Sequence, residues 1–181
     1  MRLGTERLLL RPLSPDDVDA LAAFYADPEV MRYMGGRALG RKESEESITR
    51  MIRWFEADGF GQLAVVRKQD GELLGRCGIL IWETAPWKPT AKTEAQIPTE
   101  TEIGYALGRK HWGRGYATEA ATAVRDYAYG KLGEGRLIAL IQGGNDASKR
   151  VAEKLGMAYE RDVQLKFARV GLYAAGKSPA R

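Results

Sequence analysis

Two residue types that carry much enzyme chemistry are nearly missing from this 181-residue chain, which has one cysteine and one histidine. The lone Cys77 excludes an internal disulfide framework and a cysteine-based zinc knuckle. The lone His111 excludes a multi-histidine metal site, so carboxylates alone are left to hold a hard cation, and no metal is expected. Long apolar runs are missing too: the longest, Cys77 to Trp82, falls far short of the ~18 residues that cross a bilayer. The opening Met1-Arg2-Leu3-Gly4-Thr5-Glu6 places an acid before Leu8–Leu10, which is not a secretory pattern, so a cytoplasmic protein with no membrane contact is expected. Charge of one sign is not concentrated either. The 28 Lys and Arg are interspersed with 24 Asp and Glu, for a net charge of +4. That balance reads as a solvated surface rather than the basic face of a nucleic-acid binder, so no direct nucleic-acid partner is expected.

What is present is an ordered alternation of short elements. Leu8, Leu10 and Leu13 predict a first strand ending at Pro12. Ser14-Pro15-Asp16-Asp17 then supplies a helix start, and Val18, Leu21, Ala22 and Tyr25 follow at helical spacing until Asp27-Pro28 stops them. Ile48, Met51, Ile52 and Phe55 predict a second amphipathic helix over 43–57. Strands are expected over 63–68 and 72–82, joined by the turn Gln69-Asp70-Gly71. Residues 83–101 contain Pro86, Pro89 and Pro98 without periodicity and read as one long loop. A strand over 102–107, a helix over 117–129 with Ala120, Val124 and Tyr127 on one face, a strand over 136–141, and a helix over 146–155 closed by Gly156 follow. The tail to Tyr173 has strand character. Hairpins mixed with crossovers predict an α/β (α+β) class: one domain over 1–181, with a mixed, mostly antiparallel sheet flanked by helices.

The candidate chemistry lies where strand 102–107 runs into Gly108, Gly113 and Gly115. A strand, a glycine loop and a helix start together converge backbone N–H groups on an anion, and the helix dipole adds favourable potential. Lys110 and Arg114 add cations. A tight turn that merely needs glycine is the plainer alternative. The spacing fits neither the phosphate-binding P-loop, which needs a lysine-serine pair, nor the dinucleotide fingerprint.

The stretch Trp112-Gly113-Arg114-Gly115-Tyr116-Ala117 resembles the Q/R-x-x-G-x-G/A pyrophosphate loop of the GNAT N-acetyltransferases. Read on through Thr118-Glu119-Ala120, it is similar to the W-G-x-G-Y-A-T-E-A form of their RimJ/RimL-like branch. Thr5 to Leu13 resembles that branch's opening T-E-R-L-x-L-R-P-L. Asn145-Asp146-Ala147-Ser148, with Glu153 to Met157, resembles its N-x-x-S/A-x-x-x-x-E-K-x-G-F segment. The chain departs from the pattern at Trp112, at Met157, and at Ala152, where many members carry a thiolate-protonating tyrosine.

The resemblance implies a GNAT fold whose sheet parts in a V, and direct acetyl transfer from acetyl-coenzyme A to a primary amine. The amine must be neutral to attack, so a base is needed. Glu102, at the start of the strand leading to the loop, is the candidate; a plain strand-edge cap is the alternative. The resemblance assigns coenzyme contacts to Ala106 and Leu107, whose stretch offers an N–H to the thioester carbonyl, to residues Trp112, Gly113, Arg114, Gly115, Tyr116, Ala117 and Thr118, and to Asn145, which alternatively caps a helix. Ser148 is the candidate to protonate the departing thiolate. Cys77, in an apolar strand, reads as core rather than nucleophile, and His111 as a surface or packing residue. The acceptor, implied to be a ribosomal-protein N-terminal amine or a small amine, is left open. So is the choice between monomer and homodimer.

Overall fold

The structure, a computed structural model, describes residues 1–176. The single-domain reading over 1–181 also takes in 177–181, which lie outside the described residues. Nine strands form one sheet: β1 (Leu3–Gly4), β2 (Leu8–Pro12), β3 (Gln62–Arg67), β4 (Leu73–Thr84), β5 (Trp87–Thr90), β6 (Thr99–Leu107), β7 (Arg136–Gln142), β8 (Ala158–Gln164) and β9 (Arg169–Gly176). Five helices are α1 (Val18–Tyr25), α2 (Pro28–Met31), α3 (Arg41–Asp58), α4 (Tyr116–Gly130) and α5 (Asp146–Lys154). The sheet order is β1-β2-β3-β4-β6-β7-β9-β8, with β5 paired on β4. Every pairing is antiparallel except that of β6 with β7.

The exception shapes the molecule. Parallel β6 and β7 share one registered pair, Glu102 with Ile138, whereas β6 pairs with β4 over nine residues from Gly75–Leu107 to Glu83–Thr99. Past Glu102 the two parallel strands part, and the β7-facing amides of β6 are left without a strand partner.

Core packing follows the strand alternation. Cys77, Ile79, Ile81, Ile103 and Leu107 face one side and bury with Ala120, Ala121 and Val124 of α4 and Ala152 of α5. The α4 face continues through buried Ala128 rather than Tyr127. On the other side Leu21, Phe24 and Tyr25 of α1 pack with Val30, Met31, Ile48 and Met51. A third cluster, Trp82, Ile138, Val163, Leu165, Val170 and Leu172, fills the β7–β9 end.

The expected loop over 83–101 is the main correction. β4 runs on to Thr84, β5 folds back on it from Trp87 to Thr90, and β6 already begins at Thr99. Prolines hid the hairpin because Pro89 tolerates an edge strand, where its missing N–H is not needed. Residues 28–31 are a second departure. Pro28 stops α1 and also opens α2 as its first-turn proline, with the Asp27 carboxylate accepting from Glu29 N–H. The tail holds two strands, β8 and β9, and continues to Gly176.

Candidate active site

The glycine loop turns through two left-handed residues, Gly113 at φ 73° and Gly115 at φ 80°. A side chain at either would be strained, and the open turn leaves the first amides of α4 pointing outward. The loop is pinned from beneath by the N-terminal segment. The Glu119 carboxylate, in the first turn of α4, accepts from the Thr5 hydroxyl at 2.5 Å, the Arg7 backbone N–H at 2.9 Å and Arg7 Nε at 2.7 Å. Arg7 Nη1 in turn donates to the Arg114 carbonyl oxygen at 3.0 Å, and its guanidinium lies 4.5 Å from the Tyr116 ring centre. Burial raises the Glu119 carboxyl, but its Thr5 and Arg7 partners outweigh that and hold it below the ordinary range. Two segments matched separately in the sequence, Thr5–Leu13 and Trp112–Ala120, are therefore one unit in space.

A groove of about 600 Å³ runs along this loop. Ala106 and Leu107 of β6, loop residues Trp112, Gly113 and Gly115, and Tyr116, Ala117 and Thr118 of α4 line one side. Asn145, Asp146, Ala147 and Ser148 at the start of α5 line the other. The Asn145 side chain accepts from Ser148 N–H at 3.2 Å, so the helix-cap role is present. The Arg114 side chain is exposed and does not line the groove, and Lys110 is tied to Glu72. His111 is buried, not at the surface, and its own burial is the main influence lowering its pKa. Buried Cys77 has its thiol pushed up to about 12, which keeps it from acting as a nucleophile.

Glu102 opens onto a second cavity, of about 220 Å³, on the far side of the parting. Only 7% of Glu102 is exposed. Its Oε2 accepts from Trp82 Nε1 at 2.6 Å and its Oε1 from Leu140 N–H at 3.1 Å. The carboxylate thus replaces a backbone acceptor where β7 leaves β6. Burial raises its pKa above the ordinary carboxylate value, while the Trp82 and Leu140 donors and Arg76 pull it partly back. The two cavities meet at Tyr33, Met34, Tyr105, Asn145 and Ser148. Tyr105 spans the junction, donating to the Ser148 carbonyl oxygen at 2.9 Å. Tyr33 closes its top, donating to the Gly144 carbonyl oxygen at 3.1 Å.

Residues 7–158 match the acetyltransferase (GNAT) domain. The chain belongs to the GNAT acetyltransferases. It is 36% identical over 168 residues to the YkkB protein of Bacillus subtilis (strain 168), covering 90% of this chain and 88% of that one. An acetyltransferase from Agrobacterium tumefaciens is similar in structure, with a TM-score of 0.79 at 29% identity over 98% of this chain and 95% of the other. A RimL ribosomal-protein acetyltransferase solved with coenzyme A shares the fold at a TM-score of 0.76 and 15% identity, over 97% and 98% of the two chains. The protein is accordingly an acetyl-coenzyme A-dependent N-acetyltransferase of the GNAT type. In its groove an open helix start with two left-handed glycines faces a second helix start. Among the described residues no cluster of His, Cys, Asp or Glu could hold a metal, and no helix is long and apolar enough to cross a membrane.

Sequence reasoning missed Tyr33, Arg7 and Arg76, and it took Tyr105 only for its backbone, in the stretch 105–107, not for its hydroxyl. For Arg7 the signal existed, in the opening T-E-R-L match, but nothing in the sequence tied it to the loop. Tyr33 and Tyr105 act through hydroxyls that reach main-chain oxygens on distant elements, and local pattern carries no trace of such contacts.

Proposed function

We propose that the acceptor amine enters the cavity beside Glu102 and attacks the thioester where the two cavities meet. That junction, with a buried carboxyl on one side and a helix-start groove on the other, is the observation that carries the reading. Glu102 takes the amine proton, directly or through one water, and its raised pKa suits a base working near neutrality. The β7-facing N–H groups of Tyr105 to Leu107 stabilise the developing oxyanion, a contribution on the order of 100- to 1,000-fold for a single donor. The nitrogen–carbon bond forms and the carbon–sulfur bond breaks; the Ser148 hydroxyl, at the junction, passes a proton to the thiolate as it takes one from solvent, and Glu102 releases the amine proton to solvent. The loop 112–118 holds the pyrophosphate through main-chain amides, and Asn145 meets the arm between them.

The small volume of the acceptor cavity, walled by Leu165 and Val170 with Phe167 at its edge, favours a small-molecule amine over the ribosomal-protein N-terminus that the branch resemblance implies. The test is thiol release from acetyl-coenzyme A with a panel of small amines and N-terminal peptides. Small amines are expected to react, and Glu102→Gln is expected to lower kcat while leaving coenzyme affinity in place. It should also remove the acidic limb of the kcat/KM profile. An unchanged limb removes Glu102 from the base role, and binding without thiol release on any amine leaves a non-catalytic coenzyme A binder.

A further inference from the structure

The acceptor cavity has a charged group that the transfer chemistry does not use. Arg76 of β4 lies opposite Ala106 of β6, and on the same face two rows on, Leu80 lies opposite Glu102. Between these rows stand two glycines, Gly78 and Gly104, paired with each other. Side chains alternate along strands, so Arg76 and Glu102 face one side of the sheet, toward the cavity that both line. The glycines admit close neighbours: a methyl group at Gly78 would collide with the Gly61 main chain, and one at Gly104 would crowd the Leu80 side chain at 3.1 Å and the Gln62 amide at 3.3 Å.

The guanidinium is held by neutral partners. Nε donates to the Tyr25 hydroxyl at 2.8 Å, Nη1 donates to Gln62 Oε1 at 2.6 Å, and Nη2 approaches Met34 sulfur at 3.8 Å. Gln62 is registered opposite Gly78, and its amide nitrogen approaches the Gly104 carbonyl oxygen at 3.4 Å, which fixes the amide whose oxygen Arg76 meets. Among the described residues no carboxylate lies within ion-pair distance of Arg76, although most other arginines near carboxylates are paired. A guanidinium has five donors and no acceptor, and three neutral contacts leave N–H groups over. A half-buried arginine fixed by neutral groups and lining a cavity is a preorganised anion seat, because its rotamer is already set.

We propose that Arg76 binds the carboxylate of the acceptor, so that the substrate is a small amino acid-like amine held in this cavity between Arg76 and Glu102. This rests on the acetyl-transfer reading given above. Each two-residue step along one strand face is ~7 Å, so the amine and the carboxylate stand several bonds apart, as in an ω-amino acid. Leu80, Trp82 and Leu165 give the intervening methylenes an apolar wall.

The experiment measures thiol release by the unaltered protein with ω-amino acids of rising chain length and with n-alkylamines of matched length. The expected result is a kcat/KM about 10- to 100-fold higher for the best amino acid than for its matched alkylamine, the worth of a charged hydrogen-bonded pair. Arg76→Met should abolish that preference by raising KM for the amino acid, while its lost pull on Glu102 changes kcat for the amino acid and the alkylamine alike. Arg76→Lys should recover part of it. Equal or better use of alkylamines by the unaltered protein would overturn the carboxylate seat while leaving acetyl transfer intact. Equal loss on both substrates in Arg76→Met would likewise overturn it, showing that Arg76 only supports Tyr25 and Gln62. No transfer to any amine, with acetyl-coenzyme A still bound, would overturn the transfer reading itself.

Discussion

Replacing Glu119 with alanine removes the carboxylate on which the N-terminal segment and the glycine loop converge. The Thr5 hydroxyl and the Arg7 backbone N–H each lose a charged acceptor, at about 1.5 kcal/mol apiece. The side-chain pair with Arg7 contributes about 0.5–1 kcal/mol, at the modest end because that guanidinium is 42% exposed. The whole change therefore costs about 3.5–4 kcal/mol, which for a domain of this size lowers Tm by about 7–16 °C. The second consequence is local. With Glu119 gone, Arg7 has no anchor from which to hold the Arg114 carbonyl, and the loop loses the contact that fixes its turn.

Calorimetry on the wild type, Glu119→Ala, Arg7→Ala and the double variant measures the coupling, expected at about 0.5–1 kcal/mol. Titration with acetyl-coenzyme A should show weaker binding in all three variants. Additivity of the two single changes within about 0.3–0.5 kcal/mol would refute the claim that the two residues act together. A lowered Tm with unchanged coenzyme affinity would show that the latch stabilises the fold without shaping the loop.

Gly115→Val places a β-branched residue at φ 80°, where it is strained by about 1–3 kcal/mol, and its Cβ would stand 3.4 Å from the Arg7 guanidinium; calorimetric titration should show acetyl-coenzyme A binding lost. Asp17 is raised by burial but lowered overall by two 2.7 Å bonds from Arg11 and one from Ser14 N–H, so its stabilisation is present above the unfolded carboxylate pKa and lost as pH falls through the lower folded value. Asp17→Asn should therefore be less stable at neutral pH, by about 2 kcal/mol, and should show a shallower acid loss in denaturant titrations across that window. Cys77 should resist thiol reagents at neutral pH in the native protein and react at once in denaturant, since burial keeps its thiol protonated.

Much of the fold and of the groove along the glycine loop was legible because their signals are local. Gly71, Gly115 and Gly156 adopt the positive φ that only glycine takes without strain, and each marks a turn where one was expected. The stretch Trp112–Thr118 and the pair Asn145 and Ser148 fall on the two walls of one groove because each opens a helix, and helix starts are written in short sequence. The hairpin over 84–99 was not legible. Its pairing, Ile81–Thr90 through Thr84–Trp87, depends on the long β4 extending beyond its apolar run, and no local periodicity records that. Apart from Glu102, the second cavity was illegible for a related reason. Arg76, Gly78, Gly104 and Glu102 converge only through the β4–β6 register, and a register is a property of two distant segments.

Glu102 shows how a structural need and a chemical one can fall on the same atoms. The parting of β6 from β7 leaves the Leu140 N–H facing a gap, and a buried amide without an acceptor is costly. An acidic side chain from the last paired residue fills that gap, and Trp82 Nε1 fixes its other oxygen. The strand-edge role and a base role are therefore not rivals: one oxygen closes the backbone while the low-dielectric setting raises the pKa of the whole group. Glutamine at this position keeps an oxygen for Leu140 but turns its nitrogen, a donor, toward the Trp82 donor. The same substitution that removes the proton acceptor thus sets two N–H groups against each other. A fall in kcat with a small loss of stability would assign the base role to Glu102, whereas a large loss of stability with kcat preserved would leave it only the strand.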